Sequence, residues 1–174
     1  MAIPSVQTII EAIESELDSR IGSGGTLSFL VGENEPTVIT DSPPNPERFK
    51  NYKNYQIVII PDPNEPFREE NRLGENVWRQ YSVGFVLYQK STSSRRVSIF
   101  SNSNNSTRGV GMYEFANLVM DALRNNTFGG VCERRSAEQF DTPVLAQVED
   151  QSAEQIEFTF RCETLSQITS GAIA

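Results

Sequence analysis

The sequence has 174 residues, of which 15 are Lys or Arg and 23 are Asp or Glu, and it contains no histidine. Its length predicts one domain that buries a core without needing disulfides or metals. The formal net charge of −8 argues against non-specific binding to nucleic acid and to anionic membranes. The missing histidine excludes triads of the Ser-His-Asp kind and removes the commonest general base and metal ligand.

The two cysteines, Cys132 and Cys162, cannot form a Cys-only zinc site by themselves. Their spacing leaves open whether they pair, and we expect both to be small apolar strand residues. The amino end shows no secretory pattern, so a reducing cytoplasm is the expected compartment. No apolar run approaches the ~20 residues that cross a bilayer, so we expect a soluble protein.

The first 31 residues predict a helix and a short strand. Over residues 4–21, apolar side chains recur at three- and four-residue steps, which is typical of an amphipathic helix; they are Val6, Ile9, Ile10, Ile13, Leu17 and Ile21. The glycine-rich run 22–25 ends this helix. Phosphate binding is not favoured, because the glycines follow a helix instead of preceding one. Residues 26–31 are predicted to form a short strand.

Seven of the nine prolines lie between residues 33 and 66. Because proline resists helix interiors and central strands, residues 33–54 are predicted to form an extended arm. The β-branched run 55–60 predicts a strand covered on both faces. Residues 76–90 give the strongest strand signal. Their early part, with Arg79 and Gln80, predicts one half of a projecting hairpin whose turn lies in 62–75.

The second half of the chain predicts a helix over roughly 108–126, after a polar loop at 101–107. Its apolar stripe consists of Met112, Phe115, Ala116, Val119 and Leu123. Three strand-like pieces follow, at 131–135, 143–148 and 156–162, and residues 164–174 predict a flexible tail. Residues 1–163 are therefore predicted to form one α+β domain, with a mainly antiparallel sheet, two helices on one face, a Pro-rich arm and a projecting hairpin.

Paired carboxylates are the only candidate catalytic groups in the sequence. Glu69-Glu70 and Glu149-Asp150 are adjacent, and Glu14 and Asp18 are one helical turn apart. Such pairs need burial or a partner charge before they do acid–base work. Solvated surface charge is the favoured interpretation, so no catalytic, metal or cofactor-binding residue is assigned and no cofactor is expected. A small cytoplasmic metal enzyme that uses carboxylates is the alternative.

Arginine pairs and one tryptophan are the candidate contacts with other subunits or partners. Arginine binds carboxylates through two hydrogen bonds, so an acidic protein with arginine patches can pair with copies of itself. The candidate residues are Arg68, Arg72, Trp78, Arg95, Arg96, Arg134 and Arg135. Ordinary solubility is the alternative for the arginines, and Trp78 fits a core as well as an interface.

The order of the predicted elements resembles the tail terminator proteins of long-tailed bacteriophages and the related minor tail and neck proteins. The resemblance covers residues 4–163: an amphipathic first helix, a strand and variable arm, an apolar strand ending at Pro61, a projecting loop and a long strand over 77–88. A helix of the type Tyr-Glu-Phe-Ala-Asn-Leu-Val-Met-Asp-Ala-Leu (113–123) follows. The last element is a hairpin ending in Glu157-Phe-Thr-Phe-Arg.

This resemblance implies a non-catalytic virion protein that assembles as a ring, usually a hexamer. Such a ring sits on the last ring of the tail tube protein, ends tube growth and presents a surface to neck and connector proteins. It is assembled in the host cytoplasm, and genomic DNA passes through its lumen without specific binding. An acidic lumen fits this role, because like charge repels phosphate. A head–tail connector or baseplate adaptor ring is the alternative within the same class.

Overall fold

The computed structural model describes residues 3–21, 24–30, 38–40, 55–72, 76–90, 110–133, 139–147 and 153–167. These ranges contain two α-helices and a six-stranded, mainly antiparallel sheet, which confirms the expected α+β class. The helices are α1 (Val6–Ile21) and α2 (Met112–Leu123). The strands are β1 (Val38–Ile39), β2 (Tyr55–Pro61), β3 (Phe67–Arg72), β4 (Asn76–Lys90), β5 (Val144–Gln147) and β6 (Ala153–Gln167).

Strand β4 is the centre of the sheet, whose order is β1-β2-β4-β6-β5. One edge of β4 pairs with β6 along its whole length, from Asn76 opposite Gln167 to Lys90 opposite Ala153. The other edge pairs first with β3 and then with β2. All of these pairs are antiparallel, whereas β1 runs parallel to β2. The predicted hairpin is therefore confirmed, with β3 and the start of β4 as its two strands.

Both helices pack on one face of the sheet, as the apolar stripes predict. Side chains alternate between the two faces of a strand, so every second residue of β4 and β6 points at the helices. The buried core they form with the helices includes Ile9, Ile13, Leu17, Val83, Phe85, Leu87, Phe115, Val119, Ile156, Phe158 and Phe160. On the opposite face, Val58, Val86 and Tyr88 form a second buried cluster. Strand β2 is thus buried on both faces, as its β-branched run predicts.

The strand predicted over 26–31 is wrong for the described residues of that range, because Ser28–Leu30 forms a 3-10 helix. The buried side chains of Leu27 and Leu30 are three residues apart, a spacing that suits one tight helical turn. A close approach of the backbone produces this turn. The amide of Leu27 donates to the carbonyl of Arg20 over 3.0 Å, and a Cβ on Gly25 would collide with that carbonyl.

Two predictions for the C-terminal part also need correction. The strand expected over 131–135 is not formed by the described residues 131–133, where Glu133 makes only an isolated bridge to Glu163. The flexible tail predicted from residue 164 does not begin there, because β6 continues to Gln167 against the start of β4. Residues 168–174 lie outside the described part. So do most of the arm at 33–54 and the loop at 101–107.

Candidate assembly surface

The β3–β4 hairpin lies at the margin of the domain. Strand β3 pairs only with β4, and none of its residues belongs to a core cluster among the described residues. In an antiparallel pair, residues directly opposite each other share a face, so the register assigns the hairpin two distinct sides. Phe67 and Tyr81 are on the side that faces the helices, while Arg68 and Gln80 are on the other side.

The helix-facing side of the hairpin has a partly exposed aromatic and ionic cluster. The Arg79 guanidinium lies 4.4 Å from the centre of the Phe67 ring, and its Nε donates to Glu69 Oε1 over 2.9 Å. Phe67 is 41% exposed, so its ring presents apolar surface to solvent although the Arg79 guanidinium lies over it. Arg79 is therefore fixed in place by both of its neighbours on β3.

The hairpin is fixed to the first helix by Tyr81. This side chain is fully buried, and its hydroxyl donates a hydrogen bond to the carbonyl of Pro4, two residues before α1 begins. Burial raises the pKa of the Tyr81 phenol above its ordinary value, so the hydroxyl keeps its proton as a donor. A hydrogen bond from one buried tyrosine thus links the hairpin to the residues that precede α1.

Arg68 occupies the other side of the hairpin and is exposed. Of the five arginines whose side chains the structure describes, four form ion pairs, namely Arg20, Arg79, Arg124 and Arg161. Arg68 has no acidic partner among the described residues. Its cross-strand neighbour Gln80 donates to Glu163 Oε1 over 3.2 Å, so that carboxylate is engaged elsewhere.

The structure brings three of the predicted contact residues onto this hairpin. Arg68 is in β3, Arg72 ends β3 with its backbone opposite Asn76, and Trp78 is half-buried on β4 between Glu70 and Leu165. The side chain of Arg72 is outside the described part. The pairs Arg95-Arg96 and Arg134-Arg135 also lie outside it, so their assignment stays a prediction.

Sequence reasoning missed the cluster of Phe67, Glu69 and Arg79 as a unit. The signal was present, because alternation places these residues on one face once β3 is aligned with β4. The register of β3 against β4 could not be predicted, because the sequence of β3, Phe-Arg-Glu-Glu-Asn-Arg, lacks the apolar alternation that marks the other strands.

In two of the carboxylate pairs, one member contacts a residue outside its pair. Glu69 binds Arg79, and Glu14 accepts a hydrogen bond from the Thr40 hydroxyl over 3.4 Å. The described residues contain no group of three His, Cys, Asp or Glu side chains that could hold a metal ion. Glu149-Asp150 lies outside the described part. None of the described helices has the length and apolarity needed to span a membrane.

A buried polar cluster secures the chain where it enters α2. The Tyr55 hydroxyl donates to the carbonyl of Val110 over 2.6 Å, and Gln89 Nε2 donates to the same oxygen over 2.9 Å. Both side chains are more than nine-tenths buried. Buried carbonyls that lack a partner are costly, so these two donors stabilise the turn that precedes the helix.

Cys132 and Cys162 are both buried free thiols, and the fold brings them together. A hydrogen bond with Cys132, together with burial, raises the pKa of the Cys162 thiol well above its ordinary value. The residues that follow the two cysteines are hydrogen-bonded as well: the Glu133 amide donates to the Glu163 carbonyl over 2.7 Å. The expectation of a small, buried strand residue is confirmed for Cys162, which is in β6. It is wrong for Cys132, which is buried but lies in a bend outside the strands.

No protein-family model matches the sequence, and no curated protein matches it either. The function of the protein is therefore inferred from its fold, from the charges of the chain and from the surface of the β3–β4 hairpin.

Proposed function

We propose that this protein is a structural virion assembly protein that forms a ring on the end of a phage tail tube. The ring ends tube growth, provides the attachment surface for the head and neck proteins, and lets genomic DNA pass through its lumen. The observation that carries this proposal is strand β3 at the margin of the sheet, with an exposed arginine that has no acidic partner among the described side chains and an aromatic ring that is 41% exposed. Arginine and large aromatic residues are enriched at protein interfaces.

The order of elements supports the same function. The elements follow the order expected from the resemblance to tail terminator proteins. They are an amphipathic helix, an apolar strand, a long strand with a hairpin at its start, a second helix and a closing hairpin. The net charge of −8 fits passage of DNA, because an acidic lumen repels phosphate groups. The hydrogen bond between Tyr81 and Pro4 connects this hairpin to the segment before α1.

The first test is the mass of the purified chain, measured by size-exclusion chromatography with light scattering, alone and with tail tubes added. A discrete ring, or a monomer that becomes a ring only on tube ends, supports the proposal. A compact monomer that binds no tube contradicts it. Tight binding of Mg²⁺ or Mn²⁺ by that monomer would favour the enzyme alternative instead.

The second test is electron microscopy of tails assembled without this protein. Overlong tubes are the expected result, because nothing then ends polymerisation. Tubes of normal length that lack heads would contradict the terminator role and indicate a connector ring.

A further inference from the structure

We propose that Arg68 of one copy binds the acidic outer face of α1 in a second copy, in a head-to-tail contact. The residues on the receiving side are Glu11 and Asp18. This inference rests on the proposed function, because it names the surfaces through which the ring would form.

The donor side of the contact is Arg68, the exposed arginine of the hairpin, which has no acidic partner among the described side chains. Its four described counterparts each have a carboxylate within 4 Å, for example Glu16 at 2.7 Å from Arg20 and Asp121 at 3.6 Å from Arg124. Arg161 adds a second hydrogen bond to the same Asp141 carboxylate over 3.0 Å. Among the described side chains, Arg68 departs from this pattern although it is exposed. Its guanidinium therefore remains available for a carboxylate of another molecule.

The acceptor side is the face of α1 that points away from the core. The buried stripe of this helix is Ile9, Ile10, Ile13 and Leu17. Glu11 and Asp18 are exposed and seven residues apart, nearly two turns, so both lie on the opposite face of α1. The one basic residue in the last turn, Arg20, is engaged by Glu16.

Neither acceptor is neutralised by a cation within the described residues. Glu11 accepts a hydrogen bond from the Gln7 amide over 2.8 Å. Partial burial raises the pKa of Asp18 above its ordinary value of 3.8, and no nearby positive charge offsets this effect. An arginine from another copy would supply that charge.

The sheet separates the two surfaces within one molecule. Tyr81 and α1 are on one side of the sheet, whereas Arg68 is on the other side together with Gln80. Arg68 therefore cannot reach the outer face of its own α1. A contact between two different surfaces of identical chains is heterologous, and it generates a closed ring when the rotation between neighbours closes. This geometry distinguishes the contact from a two-fold dimer, in which both copies use the same patch.

The experiment is a charge swap followed by light scattering of the full chain. Arg68→Glu should weaken association at least about tenfold, because it places like charges opposite each other. The double acceptor variant E11R/D18R should weaken it similarly. Combining all three substitutions should restore assembly. Arg124→Glu is the matched control, since it makes the same charge change at another exposed arginine and should leave the mass unchanged.

The outcomes separate this contact from the proposed function. A wild-type oligomer that Arg68→Glu leaves intact, with the same circular dichroism spectrum, overturns the contact and leaves ring formation standing. Loss of assembly that the swap does not restore also overturns it. A wild-type chain that stays monomeric at all concentrations and on tube ends overturns both. Weaker association of the wild type at 0.5 M salt than at 0.05 M, with no such change in the Arg68→Gln variant, supports the contact.

Discussion

Phe85 on β4 and Phe158 on β6 are directly opposite each other, and their rings stack with centres 5.0 Å apart and planes 2° from parallel. Phe160 meets Phe85 edge-on at 6.4 Å. Both phenylalanines of the stacked pair belong to the buried core under the helices. The longest strand pair of the sheet is therefore joined by aromatic contacts at its middle as well as by backbone hydrogen bonds.

Replacing Phe85 with alanine should lower the free energy of unfolding by about 3–5 kcal/mol, because it removes a fully buried ring and leaves a cavity. Equilibrium denaturation in urea measures this change. Phe67→Ala is the control, since it removes a ring that is 41% exposed, and it should change stability by about 1 kcal/mol or less. Equal losses in the two variants would contradict the described packing of the core.

Removing the Tyr55 hydroxyl tests the polar cluster at the start of α2. Tyr55→Phe should destabilise the protein by about 1 kcal/mol, since Val110 loses one donor and keeps the bond from Gln89. The double variant Y55F/Q89L should lose more than the sum of the single variants, because the Val110 carbonyl is then left without a side-chain donor. Thermal unfolding of the four proteins measures this. Simple additivity would show that the two donors act independently.

The three buried tyrosines should lose their protons at a higher pH than a tyrosine in the unfolded chain. Burial, and then the charge of Glu157, raises the pKa of Tyr88 to about 12, and burial also raises the pKa values of Tyr55 and Tyr81. In the unfolded chain these phenols ionise near pH 10. The folded state then binds more protons than the unfolded state between about pH 10 and 12, so stability should fall as the pH rises through this window.

Ultraviolet absorbance and circular dichroism, followed together against pH, measure this behaviour. The buried tyrosines should ionise only as the structure is lost, and Tyr88→Phe should make stability less dependent on pH between 10 and 12. Ionisation of all the tyrosines near pH 10 with an intact circular dichroism spectrum would contradict the burial of these rings.

The two thiols should react slowly with a disulfide reagent such as 5,5′-dithiobis(2-nitrobenzoate). Only the thiolate is nucleophilic, and the raised pKa of Cys162 reduces its thiolate fraction at pH 8. We expect native-state labelling to be at least about 100-fold slower than labelling in guanidinium chloride. Cys132→Ala removes the hydrogen bond and should speed the labelling of Cys162. Rapid labelling of both native thiols would contradict their burial.

Periodic patterns were sufficient to predict the parts of the fold that bury a continuous apolar stripe. The stripe of α1 and the alternation of β4 each fix a face, and both elements have the predicted extent to within about two residues. Strand β2 was also predictable, because its β-branched run has no helical spacing.

The remaining elements depend on contacts between distant residues. Residues 27–30 have strand-like composition, yet the close approach of Gly25 to the Arg20 carbonyl turns the chain instead. The last residues of β6 are extended because β4 is long enough to pair with them. On the candidate surface, Arg68 and Trp78 were predicted from residue type. The acidic face of α1, which we propose as the partner of Arg68, could not be selected from the sequence, because the sequence does not show that the sheet lies between the two.

The full-length pairing of β4 with β6 also governs how this polypeptide reaches its native state. The two strands are separated in the chain by α2 and β5, so their ladder consists of contacts between residues far apart in sequence. Proteins dominated by such long-range contacts fold slowly. During synthesis on the ribosome, one edge of β4 remains unpaired until residues 153–167 have been translated. A nascent chain in this state is exposed to aggregation, and co-expression with a chaperone should raise its soluble yield.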